Sequence, residues 1–232
     1  MLDDPDVTAE AGAELAKCLH QFRRLNRFAG GTTTVIQHVA ALLSRRPQHV
    51  GSDPVQGTRL LDVGTGAADT PVALYHWAGR AGIQLHVTGL DESPYMLEEA
   101  RRIVGDYPIE LTQGDARDLP WPADSFDIAT CLGVLHHFNE KDACQVLREM
   151  WRVARVGIVV VDLQRSYPLY LGAWLATHTI VNHRFHRHDG PISVLRSFTA
   201  SELRALGRAA ELDGATVCNH RVFLQALVAR RA

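Results

Sequence analysis

The stretch "LLDVGTGAADTPVALYHWA" (residues 60–78) decides the reading of this chain. An apolar run, Leu60 to Val63, meets a glycine-rich turn, Gly64-Thr65-Gly66-Ala67-Ala68-Asp69, and an amphipathic run follows. A strand that enters a helix through glycines brings backbone close to a ligand, because glycine adopts conformations closed to other residues and adds no side chain in the way. The shape is shared by proteins that hold dinucleotides, nucleoside triphosphates and other nucleoside-bearing ligands.

Outward from the turn, short apolar runs alternate with helix-like stretches. Strands are expected at 59–64, 83–91, 109–115, 126–132 and 157–163, and helices near 71–79, 94–104 and 141–154. Ser93 reads as an N-cap with Pro94 at the first helical position. This alternation predicts an α/β, Rossmann-like, doubly wound parallel sheet with helices on both faces. Thr199 and Glu202 form a capping box for a helix to about 212. "ATVCNHRV" and "FLQALVAR" then read as two consecutive strands, a hairpin at the sheet edge. Before the turn, Leu15, Leu19, Phe22, Leu25 and Phe28 mark one helical stripe, with Arg23, Arg24 and Arg27 mostly off it. Gly30-Gly31 breaks it, and a second helix is expected from near Thr33 with Val35, Ile36, Val39, Leu42 and Leu43. Residues 45–57 read as a loop. The organisation expected is a helical cap over 1–50 and a Rossmann-like domain over 51–232, with a lid insertion at about 164–198.

At 232 residues, 46% apolar and 22% charged, the chain can bury a substantial core. A formal net charge of −2 gives no bulk attraction to nucleic acid or anionic lipid. The apolar stretch from Tyr167 to Val181 is interrupted by Pro168 and His178, so no membrane span is expected. The first residues carry no apolar leader core, and Cys18, Cys131, Cys144 and Cys218 are scattered without a C-x-x-C pair. Reduced thiols and a cytoplasmic location are the expectation.

The ligand follows from what the turn lacks. A dinucleotide fingerprint wants glycine or alanine three places after Gly66; Asp69 stands there and would push a carboxylate at a pyrophosphate. The G-K-[ST] of a P-loop is missing. An acidic turn suits a cationic ligand without phosphate, and S-adenosylmethionine, a sulfonium with an ammonium group, fits. Asp91 ends the second strand, where a carboxylate can accept from both ribose hydroxyls.

Four segments in order carry a resemblance. Asp62, Gly64 and Gly66 match D/E-x-G-x-G-x-G, with Ala68 in place of the last glycine. Asp91, Ser93, Met96, Leu97 and Ala100 match D-x-S-x-x-M-L-x-x-A. Gly114 to Asp127 match GDA-x-x-LP followed by S-F-D, and "CLGVLHHF" follows the fourth strand. The chain resembles class I S-adenosylmethionine-dependent methyltransferases, most closely the UbiE-like small-molecule branch, over about 59–163. "RRLNR" (23–27) and "RHDGP-x-S-V-x-R-x-F" (187–198) are similar to a bacterial natural-product-type subgroup.

The resemblance implies S-adenosyl-L-methionine as cofactor, with S-adenosyl-L-homocysteine as product. Asp62, Gly64, Thr65 and Gly66 would lie at the methionine part, Asp91 and Glu92 at the ribose, Met96 on the adenine face, Asp115 and Ala116 at the adenine edge, and Cys131 and Leu132 near the methyl group. The acceptor implied is a small, apolar hydroxylated or carbonyl metabolite, O-methylation being favoured slightly over C-methylation. Two alternatives stay open: a rearrangement or elimination assisted by the same cofactor without methyl transfer, and a non-catalytic partner subunit. A homodimer is an allowed assembly.

A hydroxyl acceptor needs a base, and histidine titrates in the right range. His136 and His137 follow the fourth strand, either as a base or as packing for the loop. His188 and Asp189, in "NHRFHRHDGP", read either as a base with its orienter or as a solvated turn. His183, His186 and His188 have no recognised ligand spacing, so no metal is expected.

Overall fold

The computed structural model describes residues 30–44, 57–167, 169–171, 192–220 and 223–231. The stripe at 15–28, the loop at 45–56 and most of the expected lid, with His183, His186, His188 and Asp189, lie outside the described residues.

Seven strands form one sheet in the order β3-β2-β1-β4-β5-β7-β6: β1 is Thr58–Val63, β2 Leu85–Asp91, β3 Ile109–Gln113, β4 Phe126–Leu132, β5 Ala154–Leu163, β6 Thr216–His220 and β7 Leu224–Arg230. The first five pair in parallel; β7 runs antiparallel to both β5 and β6. The expected doubly wound sheet with an edge hairpin is therefore present. Its helices are α1 (Gly31–Ser44), α2 (Asp69–Arg80), α3 (Pro94–Val104), α4 (Glu140–Val153) and α5 (Ala200–Ala209).

Neighbouring residues of a strand point to opposite faces, and the core divides accordingly. Leu60, Val87, Ile128 and Val159 pack with Val35 and Val39 of α1, Leu74 of α2 and Ala100 of α3. Leu61, Val63, Ala129 and Ile158 pack with Leu147 and Met150 of α4 and Leu203 of α5. β5 is buried from Val156 to Asp162, which explains its near-continuous valine run.

Local signals set the boundaries. Ser93 Oγ accepts from Met96 N–H at 3.3 Å and Pro94 opens α3. Asn139 caps α4 by accepting from Asp142 N–H at 3.0 Å. Thr199 and Glu202 complete the capping box of α5. The glycine pair behaves differently from its sequence reading: α1 starts at Gly31, not Thr33. A Cβ at Gly31 would stand 2.9 Å from Leu132 Cδ1, so close packing of α1 on the end of β4 selects glycine inside the helix.

The order reverses at β1, which pairs with β2 on one side and β4 on the other. A crevice opens at the carboxyl ends of strands at such a point. The chain leaves and re-enters this same edge around the expected lid: Arg165 N–H donates to the Phe198 carbonyl at 3.1 Å, and Gln225 Nε2 donates to it at 2.7 Å.

Candidate active site

The turn after β1 is built from positive-φ residues. Gly64 has φ +67°, and a Cβ there would lie 2.4 Å from Val134 Cγ2. Both conformation and space require glycine. Gly66 has φ +54°, and an added Cβ would meet only Met96 Cε, at 3.5 Å. Ala68, in the place of the resemblance's last glycine, is itself left-handed at φ 63°. It is fully buried beneath the turn.

Asp62, buried at the end of β1, accepts from Thr65 Oγ1 at 2.9 Å and Thr130 Oγ1 at 2.7 Å. Burial pushes its carboxyl up to about 6; the two threonine hydrogen bonds oppose this and the charge of Asp91 adds to it. Thr65 also donates its N–H to the Leu90 carbonyl at 2.9 Å, and its side chain fills the space over Gly89. The turn is thus clamped between β1, β2 and β4.

Asp91 comes to the same turn. Its Oδ2 accepts from Gly66 N–H at 2.8 Å and its Oδ1 from Ser93 N–H at 3.0 Å. Asp62 and Asp91 make the crevice a place for a cation. Glu92 is exposed and uses its carbonyl to accept from Gln113 Nε2 at 3.1 Å. Half-buried Met96 faces Gly66.

Asp115, just past β3, is held by Arg117, whose hydrogen bonds chiefly keep its carboxyl below the usual range. Ala116 is buried beside it. The loop from 114 to 125 contains no helix and is fastened from α4: Leu119 N–H donates to Glu149 Oε2 at 2.9 Å, and Arg152 donates to the carbonyls of Trp121 and Leu119.

At the end of β4, Leu132 is half-buried, whereas the Cys131 side chain sits in the core. Burial pushes the Cys131 thiol well up. It is an inert thiol.

A short 3-10 turn, Leu135–His137, presents the histidine pair. His136 is buried, and Asp162 of β5 holds it twice: His136 N–H donates to Oδ2 at 3.0 Å, and ring Nδ1 lies 2.7 Å from Oδ1. Burial, the largest influence, works against the imidazolium. The charge and hydrogen bond of Asp162 outweigh it, and the ring's pKa is raised despite a lowering contribution from Arg196. His137 is exposed, its ring 4.3 Å from that of His136, centroid to centroid. Asp162 is the site residue that sequence reading missed. The available signal was its place at the carboxyl end of the last parallel strand, in "GIVVVDL".

The structure therefore brings Asp62, Gly64, Thr65, Gly66, Asp91 and Met96 together at one turn, with Asp115 on one flank and His136 on the other. Positive-φ glycines, a carboxylate at the end of β2 and a seven-stranded sheet with a reversed last strand define a class I S-adenosylmethionine-dependent methyltransferase fold. The sequence agrees: residues 60–157 match the family described as "Methyltransferase domain". A demethylmenaquinone methyltransferase of Lysinibacillus sphaericus is 42% identical over 120 residues, 51% of this chain and 48% of the relative. The chain thus spans about half the length of the curated relatives it matches. The crystal structure of the YcgJ protein of Bacillus subtilis superposes with a TM-score of 0.52 at 26% identity, over 70% of this chain and 64% of the other. An S-adenosylmethionine-dependent methyltransferase of Aquifex aeolicus shares the fold with a TM-score of 0.54 at 20% identity, over 76% and 83%. Among the described residues, no helix is long and apolar enough to cross a membrane.

Proposed function

We propose that this protein transfers a methyl group from S-adenosylmethionine to an acidic hydroxyl, or to a carbon made nucleophilic by it, on a small apolar acceptor. The observation that carries the reading is the His136–Asp162 pair standing at the ends of β4 and β5, beside the turn that gathers Asp62 and Asp91.

The residues fit the cofactor by chemistry. Gly66 leaves the turn open for the methionine part, Asp62 and Asp91 complement its positive charge, and Asp91 stands at the carboxyl end of β2, the place from which a carboxylate reaches ribose hydroxyls. Bound there, S-adenosylmethionine would supply a methyl group on an excellent leaving group. The protein's own task is to align the acceptor and exclude water, which is worth roughly 7–11 kcal/mol when geometry is well held.

A phenolic acceptor, with a pKa of about 10, must lose its proton. His136 Nδ1 faces Asp162, so Nε2 is the basic atom and Asp162 fixes the tautomer. Asp162 also stabilises the imidazolium formed when His136 takes the acceptor's proton. O-methylation is the simpler outcome. The printed name of the relatives, demethylmenaquinone methyltransferase, favours a quinone-class acceptor, and the same base would serve a ring carbon beside an ionised hydroxyl.

The described residues that flank the cap and lid segments stand near this site. α1 begins at Gly31 against Leu132, and the 164–198 segment starts and ends at the carboxyl edge. The part of the 1–50 cap before Gly31 and the 164–198 lid are proposed to close over the acceptor. A bacterial natural-product role belongs to the same proposal, resting on the similarity of 23–27 and 187–198.

Incubation with a methyl-labelled donor and a panel of naphthols and hydroxyquinones tests the reading. Label should appear in product by mass spectrometry, with its position fixed by NMR, and His136→Gln should abolish it while cofactor binding persists. Acceptor conversion with the methyl donor retained would overturn methyl transfer in favour of a rearrangement.

A further inference from the structure

The carboxylate expected to receive the adenine amino group is already engaged by Arg117. Asp115 Oδ1 accepts from Arg117 N–H at 2.8 Å and Arg117 Nε at 3.0 Å. Its Oδ2 accepts from Nε at 3.0 Å and Nη2 at 2.8 Å. A carboxylate offers about four lone-pair positions, and three N–H groups of one neighbouring arginine, with Nε shared between both oxygens, take up most of them. An incoming amino N–H must compete with the guanidinium for Asp115.

A second resting place for that guanidinium is beside it. Arg117 Nη1 lies 3.6 Å from Asp142 Oδ2, in the first turn of α4, and the guanidinium carbon lies 5.9 Å from the Phe138 ring centroid. Asp142 is only half-buried, and its Oδ2 otherwise accepts from Asn139 Nδ2 at 3.0 Å. A carboxylate and an aromatic face are both good partners for arginine.

We infer that Arg117 is an internal competitor for the adenine subsite: it latches Asp115 in the free protein and moves onto Asp142 and Phe138 when an adenine amino group takes its place. The inference rests on the cofactor reading given above and names a residue that sets affinity and base specificity within it. It also links the two halves of the site. Phe138 and Asn139 directly follow the turn that carries His136, so the displaced arginine settles against the acceptor-side loop.

The test uses the full chain and calorimetric titration with S-adenosylhomocysteine, whose lack of a sulfonium removes the trivial repulsion between Arg117 and a cationic ligand. Arg117→Met keeps the stem and deletes the competing side-chain donors. It should bind about fivefold tighter if the latch holds about four molecules in five. The gain should vanish for the analogue in which hypoxanthine replaces adenine, because that base has no amino group to compete. Asp142→Asn, which removes the receiving charge, should weaken S-adenosylhomocysteine binding in the wild type but not in the Arg117→Met background. Thermal melts of each variant confirm folding. Unchanged or weaker binding by Arg117→Met, with the wild type binding normally, overturns the latch alone and makes Arg117 a support for Asp115. Failure of the wild type and all variants to bind overturns the latch together with the cofactor reading beneath it.

Discussion

Replacing Asp62 by asparagine should make the protein more stable and a poorer binder at the same time. Asp62 is 2% exposed, and its carboxyl is pushed up to about 6 from an ordinary 3.8, chiefly by burial. Two pKa units correspond to about 3 kcal/mol of cost to the ionised form in the folded state. The sign follows from proton linkage. Between roughly pH 4 and 6 the folded state holds a proton that the unfolded state releases, so stability falls as pH rises through that window and the penalty is complete at pH 7. Asparagine removes the charge but keeps the shape, and one amide oxygen can still accept from a threonine hydroxyl. The other threonine must turn its hydroxyl to accept from the amide nitrogen, which costs about 1 kcal/mol. A net gain of about 1–2 kcal/mol remains, and in a chain of this length it raises Tm by roughly 2–8 °C. The same change deletes a carboxylate that complements a cationic ligand. A charged hydrogen-bonding partner is worth about 1.5–3 kcal/mol, so affinity should fall by roughly 10- to 100-fold. Thermal melts followed by circular dichroism between pH 5 and 8, with calorimetric titration of S-adenosylmethionine at pH 7.5, measure both effects. The acid-side rise in wild-type stability contributed by Asp62 should also disappear. A variant that is less stable than the wild type yet binds S-adenosylmethionine equally well would refute the reasoning.

Three further outcomes follow from the same geometry. Gly64→Ala combines a left-handed backbone with a collision at Val134 and should cost about 2–4 kcal/mol; adding Val134→Ala should restore part of it in a denaturant titration, and no rescue would mean that the collision is not the cause. Ala68→Gly should change stability by less than about 0.5 kcal/mol, because relief of the left-handed alanine offsets the lost methyl burial and the greater freedom of the unfolded chain; a loss above about 1 kcal/mol would contradict the left-handed assignment. Asp162→Asn should lower methyl transfer by about 10²–10⁴-fold and move the inflection of the pH–rate profile to lower pH, since Asp162 holds the His136 pKa up; an unshifted inflection would show that His136 is not the titrating base.

What the sequence revealed, and what it hid, divides by the range of the interactions. The turn at 64–69, the Ser93 and Thr199 caps and the edge hairpin are specified by residues within a few positions of one another, and all stand where the sequence placed them. The helix after the turn starts at Asp69 rather than near 71, and β2 at Leu85 rather than 83, ordinary fraying of boundaries that caps and pairing decide. Gly31 is the instructive departure: a local rule reads glycine as a breaker, but the neighbour that selects it, Leu132, is far along the chain. The same limit hid two contacts. Asp162 reaches back 26 positions to His136, and His38 Nε2 meets His220 Nε2 at 2.7 Å across 182 positions. Arg117 is only two residues from Asp115, yet its grip depends on the main chain folding the side chain back, which no spacing rule states. The resemblance put Cys131 beside the methyl group; it lies within β4, and the strand's alternation turns its side chain into the core.

The central claim is that the turn of Gly64 and Gly66, closed by Asp91, holds S-adenosylmethionine. Calorimetric titration of the protein with S-adenosylmethionine beside an Asp91→Ala variant tests it most directly. Micromolar binding by the wild type, lost in a variant that still melts cooperatively, is the result expected, because Asp91 both braces Gly66 and presents acceptors to the ribose. Equal binding by the two proteins, or none by the wild type with or without a candidate acceptor, would contradict the account.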